Sequence, residues 1–287
     1  MAAPEIFSRR IRRLRRDRAA PGFADHAFLI DHIADGILER LDSVRRDFRR
    51  ALDLGCHDGR LGQALRARGI EVIATDAGFG FARIAGGVQC EEDHLPFADG
   101  SFDLVVSAGV LDQVNDLPGA LVLLRRVLKP DGLLLAGLLG AGSLPALRKA
   151  VLSADMAAGG AVGTRMHPMI DVRAAGDLLG RAGFALPVAD GEALTVRYAN
   201  PLRLLRDLRG MALTNLLAGQ QAPPFGRARL QALFEALATE VDADGKLSES
   251  FDIIFMTGWA PGPNQPSPAR RGSGTQSLAT ALSDKRG

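Results

Sequence analysis

The sequence predicts a doubly wound α/β domain: a mostly parallel sheet with helices on both faces, preceded by an N-terminal helical extension. Three observations carry this. Short apolar runs of strand length alternate with segments of helical period between residues 50 and 139. A glycine-bearing turn, Gly55 to Gly59, joins the first of those strands to its helix. Two successive strands carry an aspartate at their ends, Asp53 and Asp76.

The elements follow in order. Phe7, Ile11 and Leu14 share one helical face, with arginines around the rest. A second helix fits about residues 25–46, where Leu29, Ile33, Ile37, Leu41 and Val44 step by three or four. Then the period changes. Ala51 to Gly55 is a short buried strand, Leu61, Ala64 and Leu65 begin a helix behind it, and Ile70 to Thr75 is the next strand. A short third strand precedes Glu91. Phe102 to Ser107 is a strand, and Leu117, Leu121, Leu124 and Leu128 mark a helix. The turn Lys129-Pro130-Asp131-Gly132 feeds a strand from Leu133 to Leu138.

Beyond residue 140 the pattern loosens. Ser143 to Ser153 reads as a helix and Asp155 to His167 as a mobile loop rich in Gly and Ala. Asp171 caps a helix that carries Leu178 and Leu179 and ends at Gly183. Strands near Phe184–Val188 and Ala193–Tyr198, a helix opened by Pro201, another around Leu233, and a final strand Phe251–Met256 complete the pattern. The expected organisation is a helical cap over 1–46 and an α/β domain over 47–260. Substrate-side insertions fall at about 140–170 and 200–245, and residues 261–287 form a disordered tail of low apolar content.

Composition bounds the function. With 47% hydrophobic and 24% charged residues the chain can bury an ordinary globular core. A net charge of +2 gives no general argument for nucleic acid. A single Tyr, Tyr198, and a single Trp, Trp259, leave no aromatic interleaving for base stacking. No apolar run approaches the ~20 residues that span a bilayer. Cys56 and Cys90 cannot form a disulfide framework and suit a reducing compartment, so the cytoplasm of a bacterium is expected. The arginines at 9, 10, 12, 13, 15, 16 and 18 stand against a single Asp17. Such a start also suits a mitochondrial presequence, which makes the mitochondrial matrix the alternative. As a helix the cluster reads either as a solvated face or, since its apolar stripe suggests docking, as a lid over a cofactor or a grip on an acidic partner. His26, His32, His94 and His167 show no metal-ligand spacing.

The chemistry concentrates in the run Asp53-Leu54-Gly55-Cys56-His57-Asp58-Gly59. Gly55 lets backbone approach a ligand, and a helix starting at about Gly59 aims its free N–H groups there. Asp76, followed by Ala77, is placed to accept both ribose hydroxyls of a nucleoside. A dinucleotide site prefers a denser glycine pattern. S-adenosylmethionine instead brings an amino-acid end, whose ammonium an acidic turn residue such as Asp53 can meet. Glu91 or Glu92 can accept from an adenine amino group, and the strand ending at Ser107 lines the floor. Each has a plainer account, as a turn residue, a helix cap or a solvated loop charge. Cys56 reads as a small packed turn residue, and His57 as an ordinary loop residue rather than a base. Asp112 is the candidate general base, against the plainer reading of a helix-start carboxylate stabilised by the local dipole.

The order D-L-G-C-x-x-G, strand-end Asp, L-P-F, F-D-L-V-V-S and L-K-P-D-G over residues 52–139 resembles the class I S-adenosylmethionine-dependent methyltransferases. That likeness implies a seven-stranded Rossmann-like sheet and S-adenosylmethionine as cofactor. A closer likeness rests on several segments: Phe7 with the arginine cluster, Asn115-Asp116-Leu117-Pro118, Leu178 to Phe184, Asp207-Leu208-Arg209-Gly210-Met211, and Arg270-Arg271-Gly272-Ser273. These resemble the complex I assembly factor 5 family and its bacterial relatives. This resemblance implies action on an iron–sulfur subunit of NADH dehydrogenase, by arginine hydroxylation or by methylation. The malonyl-carrier methyltransferases are similar in layout. The chain departs from the family pattern twice. His57 stands where glycine is usual, crowding the methionine end, and Asp112-Gln113 stand where His-Trp is frequent, bordering the transferring methyl. A non-catalytic assembly chaperone that keeps the fold is the reading from another class.

Overall fold

A computed structural model describes residues 5–157, 164–219, 225–263, 265, 272, 273 and 277. Most of the expected tail, and residues 158–163 of the expected loop, lie outside the described residues.

Helix α1 (Arg9–Ala19) runs into a 3-10 turn (Ala20–Asp25) and α2 (Phe28–Asp42). Then β1 (Arg50–Leu54), α3 (Arg60–Ala67), β2 (Glu71–Asp76), α4 (Phe79–Ile84), β3 (Val88–Gln89) and β4 (Phe102–Ala108) alternate. A 3-10 turn (Leu111–Gln113), α5 (Leu117–Val127), β5 (Leu128–Leu139), α6 (Pro145–Ala157) and α7 (Val172–Arg181) follow. The chain continues with β6 (Ala185–Tyr198), α8 (Pro201–Gly210), α9 (Arg227–Ala238) and β7 (Leu247–Trp259). The seven strands lie in the order β3-β2-β1-β4-β5-β7-β6, and β7 alone is antiparallel to its neighbours. The strand order reverses between β1 and β4, so a crevice opens beyond their carboxyl ends.

Side chains alternate across the sheet and feed two core layers. Leu104 and Val106 of β4 pack with Leu29, Ile33 and Ile37 of α2, whereas Val105 packs with Leu121 and Leu124 of α5. Phe102 joins the second layer because the register shifts between Phe102 and Leu104. Helix α7 is capped by Asp171, whose side chain accepts from the Ala174 N–H.

Four expectations change. The two strands expected between 184 and 198 are one, because pairing with β7 runs unbroken from Val188 to Tyr198. The turn at 129–132 is absorbed into the start of β5, with Asp131 at φ 60°. Residues 155–157, expected in a loop, complete α6. Of the expected apolar stripe, Phe7 is buried but precedes α1, and the two members within the helix do not dock it. Ile11 is 36% and Leu14 45% exposed, while Arg12 and Arg16 are 2% and 1% exposed.

Candidate functional site

The strand-end residues do converge. Leaving β1, the Gly55 and Cys56 N–H groups both donate to the Thr75 carbonyl, tying the turn to β2. Gly55 has φ 74°, and a Cβ there would stand 2.4 Å from Val110. Its missing side chain therefore admits Val110. Gly59, at φ 85°, precedes α3. Ala77 is fully buried. The Ser107 hydroxyl donates to the Leu54 carbonyl at 2.9 Å, joining β4 to β1. Cys56 is buried, and burial raises its thiol pKa, so it is no nucleophile.

Apart from Asp53, the carboxylates of this cradle are already engaged. Arg16 donates from Nε and Nη2 to the two Asp76 oxygens at 2.7 and 2.5 Å. The Gly78 N–H adds a bond at 2.7 Å and the His57 N–H one at 3.2 Å. Burial alone would raise the Asp76 carboxyl, but the charge and hydrogen bonds of Arg16 outweigh it and hold it below its ordinary value. Arg12 reaches both oxygens of Glu92 at 2.6 Å and Glu91 at 3.0 Å. Arg13 takes the other Glu91 oxygen at 2.7 Å, and Arg9 grips Asp93 with two bonds of 2.6 Å. Arg9, Arg12, Arg13 and Arg16 are spaced i, i+3, i+4, i+7, so one helical face meets the acids past β2 and β3. That spacing, read beside Glu91-Glu92-Asp93, was the available sequence signal.

His57 closes the turn at φ 49°, where glycine would be unstrained. Its ring stacks on Phe23 at 5.0 Å and meets Phe81 edge-on at 5.4 Å. Nε2 donates to the Ala108 carbonyl at 2.9 Å, which leaves Nδ1 to accept from Arg16 at 3.2 Å. Burial, then Arg16, lowers its pKa to about 3, so the ring is neutral. Asp53 is buried with Oδ2 lacking a partner among the described residues, and burial raises it to about 7.

Past β4 the site is different. Asp112 and Gln113 are buried in the 3-10 turn, and among the described residues neither side chain has a hydrogen bond. Asp112 Oδ2 lies 3.6 Å from His167 Nε2, and the His167 ring meets Phe7 edge-on at 5.4 Å. His167 is the residue that spacing missed, because it arrives from 55 positions away in sequence. It opens onto a cavity of about 540 Å³ lined by apolar residues that include Leu139, Leu147, Leu213 and Phe225, and by Arg15, Arg165 and Arg209. Burial lowers the Arg15 pKa, and the nearby charges of Arg18 and Arg209 lower it further.

Two motifs left without a role by sequence clamp the N-terminal segment. Asn115 accepts from the Phe7 N–H at 2.7 Å and donates to its carbonyl at 3.0 Å. Asp207 takes His26 Nδ1 at 2.7 Å. A Cβ at Gly210 would stand 2.1 Å from the His26 ring, so only glycine admits it.

Comparison with known proteins places these features. Residues 52–136 match the Methyltransferase domain family. The arginine-hydroxylase NDUFAF5, mitochondrial, of Danio rerio is 31% identical, covering 96% of this chain and 88% of the relative. The malonyl-[acyl-carrier protein] O-methyltransferase of Laribacter hongkongensis is 32% identical, covering 85% and 87%. The YcgJ protein of Bacillus subtilis shares the fold with a TM-score of 0.56 at 19% identity, over 80% of this chain and 99% of that one.

Proposed function

On the premise that the chain belongs to the class I S-adenosylmethionine-dependent methyltransferase superfamily, an enzyme family whose cofactor is S-adenosylmethionine, we propose that it modifies a protein substrate during NADH dehydrogenase assembly. The observation that carries this is the extent of the likeness to the arginine-hydroxylase relatives. It reaches from α1 through β7 and so includes the substrate side, far beyond residues 52–136. An iron–sulfur subunit is the proposed target, and arginine hydroxylation or methylation the proposed change. No described helix is long and apolar enough to cross a membrane.

The cradle offers the acceptor set a nucleoside needs, Asp76, Glu91 and Glu92, yet with α1 seated it does not fit one. Bound there, S-adenosylmethionine would supply an activated methyl group. The chain's own residues supply the rest. His167 stands at the wall of a largely apolar cavity that also carries Arg15, Arg165 and Arg209, and Asp112 lies 3.6 Å from its Nε2. The Asp112 carboxylate facing Nε2 would steady the charge of the His167 ring when that ring takes a proton from an acceptor group.

Deleting the gene tests this reading. Assembled NADH dehydrogenase should fall, and mass spectrometry of its iron–sulfur subunits should show one arginine without its modification. Normal levels and a normal modification pattern would overturn it.

One observation favours a second reading. Arg15 and Arg209 border the cavity, and no carboxylate lies within ion-pair distance of either among the described residues. A cationic rim over an apolar hollow suits a carboxylate-bearing acceptor better than a guanidinium. Transfer of a labelled methyl group to a malonyl-carrier protein by the purified chain would establish this reading, and no labelling would exclude it.

A further inference from the structure

We propose that α1 is the resident occupant of the cofactor cradle, so that α1 and S-adenosylmethionine bind there to the exclusion of one another. The proposal rests on reading the cradle as the cofactor's site. A carboxylate offers about four acceptor positions. At Asp76 four are used, two by Arg16 and one each by the Gly78 and His57 N–H groups. No capacity remains for two ribose hydroxyls. Both oxygens of Glu92 and both of Glu91 are likewise held, by Arg12 and Arg13. The His57 ring stands between Phe23 and Phe81 at the turn where the methionine end would lie. The space left beside Asp53, Gly55, Cys56 and His57 is about 10 Å³. Small-molecule pockets are on the order of 300 Å³ or more.

The helix is built to sit there and to leave. It sits close because its seat lacks side chains. A Cβ at Gly78 would stand 2.7 Å from the Arg16 Cβ, and one at Gly80 would stand 3.0 Å from the Ala20 Cβ. Its contacts with the cradle are mostly ionic, joined by Arg16 over the Phe81 ring and by Asp17 accepting from the Gly80 N–H, and the apolar residues Ile11 and Leu14 face outward. Buried ion pairs return to water at little net cost when both partners are solvated together, because desolvation nearly offsets their attraction. A ligand that takes the carboxylates can therefore displace the arginines, which an apolar seat of the same size would resist.

The test uses the full chain and calorimetric titration with S-adenosylmethionine. Ala20→Cys with Gly80→Cys brings two thiols close to the ~3.5–4.5 Å Cβ separation of a disulfide, locking α1 down when oxidised. The reduced form should bind at least ten-fold more tightly than the oxidised form. Arg16→Gln should bind at least ten-fold more tightly than the unaltered chain. Saturating ligand should also speed tryptic cleavage at the α1 arginines. Equal affinity of the oxidised and reduced forms overturns the proposal and leaves the cofactor reading standing. Absence of binding in every form, Arg16→Gln included, overturns both.

Discussion

Asp76 and Asp112 each follow or end a strand of the same sheet, each is buried, and only one of them is satisfied. Asp76 accepts four hydrogen bonds, two of them from a guanidinium. Asp112 accepts none among the described residues and faces His167 at 3.6 Å. A satisfied buried carboxylate is part of what holds the molecule together, and an orphaned one costs stability that packing elsewhere must offset. The cradle side of the crevice is thus filled by the chain itself, and the cavity side keeps polar groups unspent. The contrast separates a region that must open from one already open.

The largest expected effect breaks the satisfied side. Asp76→Ala leaves the Arg16 guanidinium buried without its partner, which costs roughly 3–5 kcal/mol. Urea unfolding should show that loss, and Asp76→Leu combined with Arg16→Met should restore most of it. A loss below about 1 kcal/mol would mean α1 is not seated in solution.

The next effect is a pH dependence hidden in the same turn. Unfolded Asp53 and His57 titrate near ~3.9 and ~6.5. Folding moves Asp53 up to about 7 and His57 down to about 3. The stability that Asp53 contributes is present below about pH 4 and is lost as pH rises through 7. That of His57 is present above about pH 6.5 and is lost as pH falls through 3. Across about pH 4–6.5 the two slopes oppose, each about 1.4 kcal/mol per pH unit. Relative to the unaltered chain, His57→Gln should lose stability as pH rises across that window, and Asp53→Asn should gain it. Parallel profiles for all three proteins would show that neither group titrates abnormally.

Smaller changes sharpen the open side. Asp112→Leu removes a buried carboxylate that accepts no hydrogen bond among the described residues and should raise stability by about 1 kcal/mol while lowering turnover. A destabilised variant would mean Asp112 is satisfied in solution. Smallest of all, Leu14→Ser should change stability by less than about 0.5 kcal/mol, since its side chain faces outward. Thermal unfolding that shows a loss nearer 2 kcal/mol would restore the apolar face as the docking surface of α1.

Periodicity alone located β1, β2, β4, β5 and the helices α2, α3 and α5, though not the short α4, and with them Asp53 and Asp76 at the strand ends. These features are local: a period of two or of 3.6 and a glycine turn are written in consecutive residues. The motifs Asn115-Asp116, Asp207 and Gly210 were visible without their purpose, which is to clamp Phe7 and His26 from more than 100 positions away. The face that α1 buries was misread for the same reason. Hydrophobicity selects Ile11 and Leu14 when the helix is considered alone, because burying an arginine without a partner is prohibitive. That cost vanishes when Glu91, Glu92 and Asp76 arrive from 60 to 80 residues along the chain. Which residues form the strands and carry the acids was determined by the sequence. Which cation each acid holds, and that His167 meets Asp112, only the tertiary structure decided, because desolvation is settled by the neighbours a side chain finally has.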